Sequence, residues 1–370
     1  MLKTASRMVR WLDSIKMDFN ERSYSIYFEE NFSSLPQVLK EKKITSKILI
    51  VTDSNVDKHY GNQLYDLLIN EGFSVYKHVF EAGEQNKHLA TISSIYDTCL
   101  ANRLDRGSAV IALGGGVTGD IAGFAASTYM RGIKFIQVPT SLLAQVDSSV
   151  GGKVGVDYKG TKNIIGSFYQ PSLVYMNLSV LQTLPEREYI SGMAEIIKHG
   201  IIYDNAFFEY LEQNMGDILN LDMNTLKHVV RKNCLIKSQV VQQDETEQGL
   251  RAILNFGHTI GHAIETVLDF RLLHGECVAI GMIAAAYIGC RKKMFREDEM
   301  DRIIALLKRA GLPVNIKDID YDKIHDEMLK DKKQVDNKLK FILPTEIGKV
   351  MQTTEVTKED IYNALEYISI

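Results

Sequence analysis

Polar side chains recur at helical spacing in the otherwise apolar segment Arg251–Leu268, and their types suit metal and anion binding. At roughly 100° per residue they fall on one face of a helix. The members of this stripe are Arg251, Asn255, His258, His262 and Glu265. Burying such a stripe is unfavourable unless each group finds a partner, so the pattern predicts a helix that lines a polar cleft. A helix that turns this face to water is the alternative.

Two histidines of the stripe have the spacing of a metal-binding pair. His258 and His262 are four residues apart, so one helix face would present both imidazoles to the same ion. Spacing alone therefore predicts these two as ligands, with a third ligand from elsewhere. A further histidine, His274, follows the stripe.

A second helical segment, Glu186–Ile202, places acidic and basic groups on one face. Glu188, Glu195 and Lys198 share that face, and the neighbours of Glu195 in the chain are apolar. A carboxylate in such surroundings needs a cation or a metal ion as its partner. An ordinary surface pair of Glu and Lys is the alternative.

Cationic side chains beside glycines or in apolar context form a third group. Each alone is typical of a solvated surface, but together they could form a pocket for phosphate and carboxylate. They are Arg131, Lys153, Lys162, Lys237, Arg251, Lys332 and Lys333.

A glycine-rich turn follows the apolar run Ala109–Leu113. The turn, Gly114–Asp120, reads GGGVTGD, and a helix that begins there would present its positive N-terminus to a phosphate group. A tight turn after a core strand is the alternative, since the order is not GxGxxG. Asp53, at the end of an earlier apolar run, could hold a ribose hydroxyl, although a helix N-cap or an Asx turn is the simpler interpretation.

The elements that would position these groups differ between the two halves of the chain. Short apolar runs alternate with helical patterns from about residue 24 to 176, which predicts an α/β nucleotide-binding domain with a mostly parallel sheet. From about residue 185 the periodicity is helical. We therefore predict an extra segment at 1–20, an α/β domain at 21–182 and a helical domain at 183–370. An active site in the cleft between the domains is expected.

Composition excludes several classes of protein. The 370 residues carry a net charge of only −4, which argues against a nucleic-acid or membrane-surface protein. No apolar run approaches the ~20 residues of a membrane span. The four cysteines are scattered without a CxxC pair, so neither a disulfide framework nor a thiolate zinc site is indicated, and a reducing cytoplasm fits.

Seven ordered segments give the chain a clear resemblance to the 3-dehydroquinate synthase family from about residue 24 to the end. They are Gly114–Asp120, Gln137–Val156, Lys162–Pro171, Ser191–Gly200, Gly249–Ala263, His274–Met282 and Asp331–Lys333. The resemblance implies an α/β N-terminal domain that binds NAD, an all-α C-terminal domain that binds metal and substrate, and a cytoplasmic homodimer.

The resemblance also implies roles for individual residues. Zinc, with cobalt as a possible substitute, would be held by Glu195, His258 and His274, which replaces His262 in the pair predicted from spacing. His262, Lys153, Asn163 and one of Lys332 and Lys333 match contacts to the substrate phosphate, and Arg131 matches a residue that enters the neighbouring subunit's site. The carboxylate and hydroxyl contacts correspond to Asp147, Lys198, Lys237, Glu247, Arg251 and Asn255. The NAD contacts correspond to Asp53, Asn55, Glu84, Lys87, Gly115, Gly116, Val117, Asp120, Thr140, Ser141, Lys162, Thr183 and Glu188.

The implied reaction converts 3-deoxy-D-arabino-heptulosonate 7-phosphate (DAHP) to 3-dehydroquinate and phosphate, a step of the shikimate pathway that leads to aromatic amino acids. It would proceed through transient oxidation by NAD, phosphate elimination, reduction, ring opening and an intramolecular aldol step. An aminodehydroquinate synthase, or a related cyclase acting on glucose 6-phosphate or sedoheptulose 7-phosphate, is the nearest alternative. A metal-dependent polyol dehydrogenase and an inactive sugar-phosphate binder are more distant ones.

Overall fold

A computed structural model of the chain describes residues 12–44, 46–247, 249–269, 271–332 and 339–369, without the side chains of 331 and 332. The strands are β1 (Ser14–Met17), β2 (Tyr24–Glu29), β3 (Lys47–Asp53), β4 (Ser74–Phe80), β5 (Ala109–Gly114), β6 (Lys134–Pro139), β7 (Lys153–Tyr158), β8 (Thr161–Phe168), β9 (Leu173–Asn177), β10 (Phe341–Glu346) and β11 (Lys349–Thr353). The helices are α1 (Leu35–Glu41), α2 (Ser54–Val56), α3 (Asn62–Asn70), α4 (Leu89–Ala101), α5 (Gly116–Thr128), α6 (Glu186–Tyr203), α7 (Asn205–Leu219), α8 (Met223–Gln243), α9 (His258–Val267), α10 (His274–Arg291), α11 (Glu297–Arg309), α12 (Tyr321–Lys332) and α13 (Lys358–Ile368).

Seven strands form one sheet in the order β1-β2-β9-β6-β5-β3-β4. The pairs β2–β9, β6–β9, β3–β5 and β3–β4 are parallel, so the predicted mostly parallel sheet is confirmed. Every residue of β5 and β9 is buried. Strands covered on both faces need apolar side chains at every position, which is why they appear in the sequence as unbroken apolar runs.

The first strand lies in the segment that the sequence analysis separated from the α/β domain. Ser14–Met17 pairs antiparallel with β2 and forms an edge of the sheet. Its side chains alternate, with Ile15 and Met17 buried and the other two exposed. This four-residue edge strand contains only two apolar residues, and they are not adjacent. The strand therefore could not be predicted from apolar runs.

Two β-hairpins were also not predicted from the apolar runs in the sequence. β7 pairs with β8, and β10 pairs antiparallel with β11. Strands β8 and β11 are largely exposed, so they need no continuous apolar stretch. The half of the chain that was predicted to be all helical therefore also contains the β10–β11 hairpin.

The chain divides into two compact units. The first contains the described residues up to Leu113 together with Asp120–Pro139 and Val154–Ser179. The second contains Gly114–Gly119, Thr140–Lys153 and the described residues from Val180 onward. Among the described helices, none has both the length and the apolarity needed to cross a bilayer.

Helix α10 is the most buried helix of the second unit and brings the predicted site residues together. It packs against α6, α9 and α13. At Gly281 a Cβ would lie 2.0 Å from the carbonyl oxygen of Gly257, and at Gly275 a Cβ would lie 1.9 Å from that of Ser191. The backbone of α10 thus touches α6 and the turn before α9 directly, which no other residue type allows.

We expect Gly281→Ala to destabilise the protein by about 1–3 kcal/mol, because the new methyl group forces α10 away from Gly257. Gly216→Ala is the matched control, since Gly216 lies in α7 with no atom within 4 Å of the added Cβ. That change should stabilise by about 0.5–1 kcal/mol, since alanine favours the helix more than glycine does. The midpoints of urea denaturation measure both effects. A Gly281→Ala variant as stable as the wild type would contradict the close contact.

Candidate active site

The segment Arg251–Leu268 is not one helix, so that part of the sequence prediction is wrong. A 3₁₀ turn covers Leu250–Asn255, and α9 begins only at His258. Between them Gly257 has a left-handed backbone with φ of +79°. A Cβ there would lie 2.7 Å from Met282 Cγ, so the break follows from the close packing of this turn on α10.

Three side chains from three helices converge at the start of α9. Glu195 of α6 is fully buried, and its Oε1 lies 3.6 Å from Nε2 of His258 and 3.6 Å from Nε2 of His274. Each histidine begins its own helix, α9 or α10. The Oε1 atom has no hydrogen-bond partner within the described part of the chain. An unsatisfied buried carboxylate oxygen that faces two imidazole nitrogens is the arrangement that a divalent metal ion completes.

The Nδ1 atoms of His258 and His274, which lie away from Glu195, also have polar neighbours. His258 Nδ1 lies 3.1 Å from the carbonyl oxygen of Phe256, which can only accept, so Nδ1 carries the proton. His274 Nδ1 lies 3.6 Å from Oε2 of Glu265. The contact with Phe256 directs an unprotonated Nε2 of His258 toward Glu195, the tautomer that metal binding requires. Despite burial, the contacts with Glu195 and Glu265 raise the pKa of His274 to about 9, so a metal ion would displace a proton from this ring. The sequence placed Glu265 in the polar stripe but gave it no role.

His262 offers an alternative third ligand. Ligand atoms of His258, His262 and His274 lie within 4.8 Å of one another, and the His262 ring is exposed. Spacing predicts His258 and His262 as ligands, whereas the resemblance implies Glu195, His258 and His274. The two predictions therefore share His258. The unsatisfied Oε1 of buried Glu195 favours the set of Glu195, His258 and His274.

Electrostatics keep Glu195 ionised. Burial alone would raise the pKa of this carboxyl, but the charge of Lys198, followed by the contact with His274, holds the pKa well below its usual value. Lys198 forms an ion pair with Glu195 one turn along the same helix, and both side chains are buried. Burial, followed by the charge of Lys198, lowers the pKa of His258 well below its usual value, so this ring is neutral.

The half-buried Asp147 and the buried Lys237 form a second ion pair in the same unit. Lys237 Nζ donates to Asp147 Oδ1 at 2.5 Å and to the Asp147 carbonyl oxygen at 2.6 Å. Burial opposes ionisation, but the charge of Lys237 lowers the pKa of Asp147 to about 2. A carboxylate oxygen of Asp147 lies within 4.8 Å of one of Glu195, so the two ion pairs are neighbours.

Four further predicted substrate residues lie close together in the second unit. Glu247 forms an ion pair with Lys153 and accepts a hydrogen bond of 2.9 Å from Asn255 Nδ2. Arg251 is buried and donates to the carbonyl oxygens of Glu245 at 2.5 Å and Gly151 at 3.3 Å. These contacts bring cationic and amide groups into one cluster.

The glycine-rich turn also belongs to the second unit as far as Gly119. Gly115 precedes α5, and Gly116 and Val117 begin it, so backbone N–H groups point out of the helix start as the phosphate interpretation requires. The Gly114 carbonyl oxygen accepts from Thr140 N at 2.9 Å. A Cβ on Gly115 would come within 3.4 Å of Ser141 Oγ, so Thr140 and Ser141 lie beside the turn.

The first unit contains six of the other predicted NAD residues, which are Asp53, Asn55, Glu84, Lys87, Asp120 and Lys162. Lys87 Nζ donates to Asp120 Oδ2 at 2.6 Å and to Asn163 Oδ1 at 2.5 Å, and Lys162 lies 4.0 Å from Glu84. Despite burial, the charges of Asp120 and Glu84 raise the pKa of Lys87.

The contacts of Asp53 are those of the simpler interpretation, a helix N-cap. Its carboxylate caps α2 by accepting from the backbone N–H groups of Asn55 at 3.0 Å and Val56 at 3.1 Å. Both hydrogen bonds of the cap are to Oδ1. They do not test whether the carboxylate also contacts a ribose hydroxyl.

Five of the predicted residues remain, and they occupy exposed or undescribed positions. Thr183 and Glu188 are exposed, just before and within the first turn of α6. Arg131 is exposed, with a left-handed φ of +67°. Lys332 ends α12, but its side chain and all of Lys333 lie outside the described residues.

Comparison with known proteins agrees with the family resemblance. Family models described as 3-dehydroquinate synthase N-terminal and 3-dehydroquinate synthase C-terminal match residues 77–191 and 192–334. The 3-dehydroquinate synthase of Acetivibrio thermocellus is 50% identical over 94% of this chain and 97% of its own length. That of Ruminiclostridium cellulolyticum is 48% identical over 94% of this chain and 97% of its own length.

Solved structures share the fold. 2-epi-5-epi-valiolone synthase of Streptomyces hygroscopicus, solved with NAD+ and Zn2+ bound, has a TM-score of 0.88 and 28% identity over 97% of this chain and 98% of that one. 2-deoxy-scyllo-inosose synthase in complex with carbaglucose-6-phosphate, NAD+ and Co2+ has the same TM-score and identity over 96% and 100%. Glycerol dehydrogenase of Schizosaccharomyces pombe, at 17% identity and a TM-score of 0.66 over 93% and 88%, shows the fold alone.

Metal retention distinguishes the two ligand sets. We expect His274→Ala and Glu195→Gln to lose bound zinc, because the first removes one of the three ligands and the second removes the negative charge of another, whereas His262→Ala keeps it. Zinc content per chain after dialysis against a weak chelator measures this. Retention by Glu195→Gln together with loss by His262→Ala would instead establish the three-histidine set.

Proposed function

This chain belongs to the 3-dehydroquinate synthase family, and from that premise and the geometry of the second unit we propose that it converts DAHP to 3-dehydroquinate and phosphate. The enzyme is then a carbon–oxygen lyase of the shikimate pathway. The observation that carries the proposal is the presence of three buried cationic side chains, Lys198, Lys237 and Arg251, in the unit that also holds Glu195 with its two histidines. A substrate with both a carboxylate and a phosphate matches this charge.

The cofactors of the proposed reaction are zinc and NAD, with cobalt as a possible substitute for zinc. The solved relatives bind NAD+ with Zn2+ or Co2+, which supports the proposal. Glu195, His258 and His274 would hold the metal, and the residues beside the glycine-rich turn and Lys87 would contact NAD. When bound, the metal supplies a Lewis acid that acidifies a substrate hydroxyl, and NAD supplies a reversible hydride acceptor.

The chain's own residues mainly bind and orient the substrate. Arg251 and Asn255 present N–H donors suited to a carboxylate, since guanidinium and amide groups can both donate to its oxygens. Lys153 and His262 would bind the phosphate, as would Asn163 and one of Lys332 and Lys333. The positive charge of Lys153 lowers the barrier to phosphate departure, because it stabilises the charge that develops on the leaving oxygens.

Asp147 and Lys237 can act on the substrate hydroxyl groups as a pair. Asp147 is ionised and accepts from Lys237 through Oδ1 and its carbonyl oxygen, so the ammonium group is held in one direction and keeps its third N–H bond for a substrate oxygen. Lys198 is held in the same way by Glu195. The proton lost from carbon during elimination would go to an oxygen of the departing phosphate. Glu247 would accept from a further hydroxyl.

Related activities are the alternatives. An aminodehydroquinate synthase would use nearly all of these residues, and cyclases of glucose 6-phosphate or sedoheptulose 7-phosphate would not need Arg251, Asn255 and Lys237 for a carboxylate. The curated relatives at 50% and 48% identity are 3-dehydroquinate synthases, which favours DAHP. A polyol dehydrogenase would release NADH.

We also propose that the protein is a cytoplasmic homodimer. The described cysteines, Cys99, Cys234, Cys277 and Cys290, are free thiols, which suits a reducing compartment. Exposed apolar side chains on the first unit, Met130, Ile164 and Phe168, give a second copy an apolar surface to cover.

Turnover of DAHP with trace NAD tests the function. With zinc-loaded protein, we expect phosphate release in large excess over the NAD added, with no lasting absorbance of NADH, since each hydride is returned within one turnover. Released phosphate and absorbance at the NADH wavelength are recorded together. Accumulation of NADH in proportion to product, or an absence of phosphate release, would rule the proposal out.

Mixing two inactive variants tests the dimer and the role of Arg131. If Arg131 serves the neighbouring subunit, a mixed dimer of Arg131→Ala and Lys198→Ala contains one complete site. Random reassociation should then restore about a quarter of wild-type activity, because about half of the dimers are mixed and each has one working site of two. Mixing Arg131→Ala with itself is the control. No recovery, with mixed dimers shown by mass, would contradict this role.

A further inference from the structure

The short turn Ala144–Ser148, which carries Asp147, is held by side chains of α8. Each of three consecutive carbonyl oxygens in this turn accepts from one residue of that helix. The pairs are Gln145 O with Cys234 Sγ at 3.4 Å, Val146 O with Asn233 Nδ2 at 2.7 Å, and Asp147 O with Lys237 Nζ at 2.6 Å. The turn ends at Ser148, so few helical N–H groups follow it. The Asp147 carbonyl also accepts from Val150 N at 3.0 Å, and α8 supplies a side-chain donor to each of the three carbonyls.

Asn233 is itself oriented by a residue of α6. Because its Nδ2 group donates to Val146 O, its Oδ1 must be the acceptor in the 2.7 Å contact with Nδ1 of His199. His199 therefore carries its proton on Nδ1. Both side chains have 0% exposure, and burial lowers the pKa of His199 to about 4, so the ring is neutral. This pair, His199 and Asn233, is called the His–Asn pair below.

The His–Asn pair links the helix of the metal carboxylate to the turn of Asp147. His199 follows Lys198 in α6, one turn after Glu195, and the hydrogen bonds run from His199 through Asn233 to Val146, the residue before Asp147. A ring nitrogen of His199 lies within 4.8 Å of carboxylate oxygens of Asp147 and Glu195. The His–Asn pair thus connects α6, which carries Glu195, to the turn that carries Asp147. Within the described residues, its hydrogen bonds are not to the side chains of the Glu195–Lys198 or Asp147–Lys237 ion pairs.

We propose that His199 and Asn233 are positioning residues for the reaction, which hold the Asp147 carboxylate, and with it Lys237, in the orientation that the substrate requires. The inference rests on the proposed function. Neither residue was assigned a role by the family resemblance, and neither needs to touch the substrate. Removing the donor of Asn233 leaves Val146 O unsatisfied and frees the turn to shift, and a shift of about 1 Å at a reacting group can cost on the order of 100-fold in rate.

A double-mutant cycle on phosphate release tests this role. Asn233→Ala should lower kcat by about 10- to 100-fold, with the KM for NAD unchanged, because the turn carrying Asp147 is displaced. In an Asp147→Ala background, the same change should have almost no further effect, since no carboxylate remains to be positioned. If the two effects multiply instead, Asn233 acts on stability or elsewhere and the inference is wrong.

Replacement of His199 gives a second, independent test. His199→Asn places an amide N–H near the position of Nδ1 and should retain most of the kcat, whereas His199→Leu, of similar size but without a donor, should fall to the level of Asn233→Ala. Equal activity of His199→Asn and His199→Leu would overturn the role. Circular dichroism and zinc content of each variant exclude misfolding as the cause.

Ser238→Ala is the matched control. Ser238 is a buried polar residue of α8, but its hydroxyl donates within its own helix, to Leu235 O at 2.7 Å. Its loss should leave kcat within about twofold of wild type. Failure of the proposed function is seen separately, as a wild-type enzyme that releases no phosphate from DAHP. The inference about His199 and Asn233 fails if the wild type is active and the variants do not show the expected losses.

Discussion

The burial of one ionised carboxylate, that of Glu195, is the constraint on which the rest of the second unit depends. A carboxylate with no access to water is tolerated only when cations and hydrogen-bond donors surround it. Lys198 neutralises one oxygen from the same helix, and the two histidines face the other at 3.6 Å. Because Oε1 has no hydrogen-bond partner in the described part of the chain, we propose that a cation completes the site. Its neighbours, the Asp147–Lys237 pair and Arg251, are tolerated for the same reason.

Close backbone packing brings these charges together. Gly275 lets the start of α10 touch Ser191 of α6, and Gly281 lets its middle touch the turn at Gly257. His274 and His258 each begin a helix beside one of these contacts, so their positions follow from backbone contacts and not from flexible loops. The buried His–Asn pair extends this rigid arrangement from α6 to the turn of Asp147. The proposed chemistry needs this rigidity, since one site must hold a single substrate through several steps.

Local patterns in the sequence predicted what depends on local physics. Unbroken apolar runs identified buried parallel strands, and helical periodicity identified α6 together with the need of Glu195 for a cation. The prediction of one helix over Arg251–Leu268 was wrong, because the break at Gly257 is imposed by Met282 and Val278, which lie far along the chain. For the same reason, the spacing of His258 and His262 could not indicate Glu195 or His274 as candidate ligands. Only the family resemblance did so, and it gave no role to His199 or Asn233.

Diffraction at the zinc absorption edge from crystals of the zinc-loaded protein tests the central claim most directly. Here an anomalous peak is predicted at about 2.0–2.2 Å from Glu195 Oε1 and from Nε2 of both His258 and His274. A peak bound by His262 instead, with Glu195 paired only to Lys198, would contradict the claim that the buried carboxylate exists to bind a metal ion.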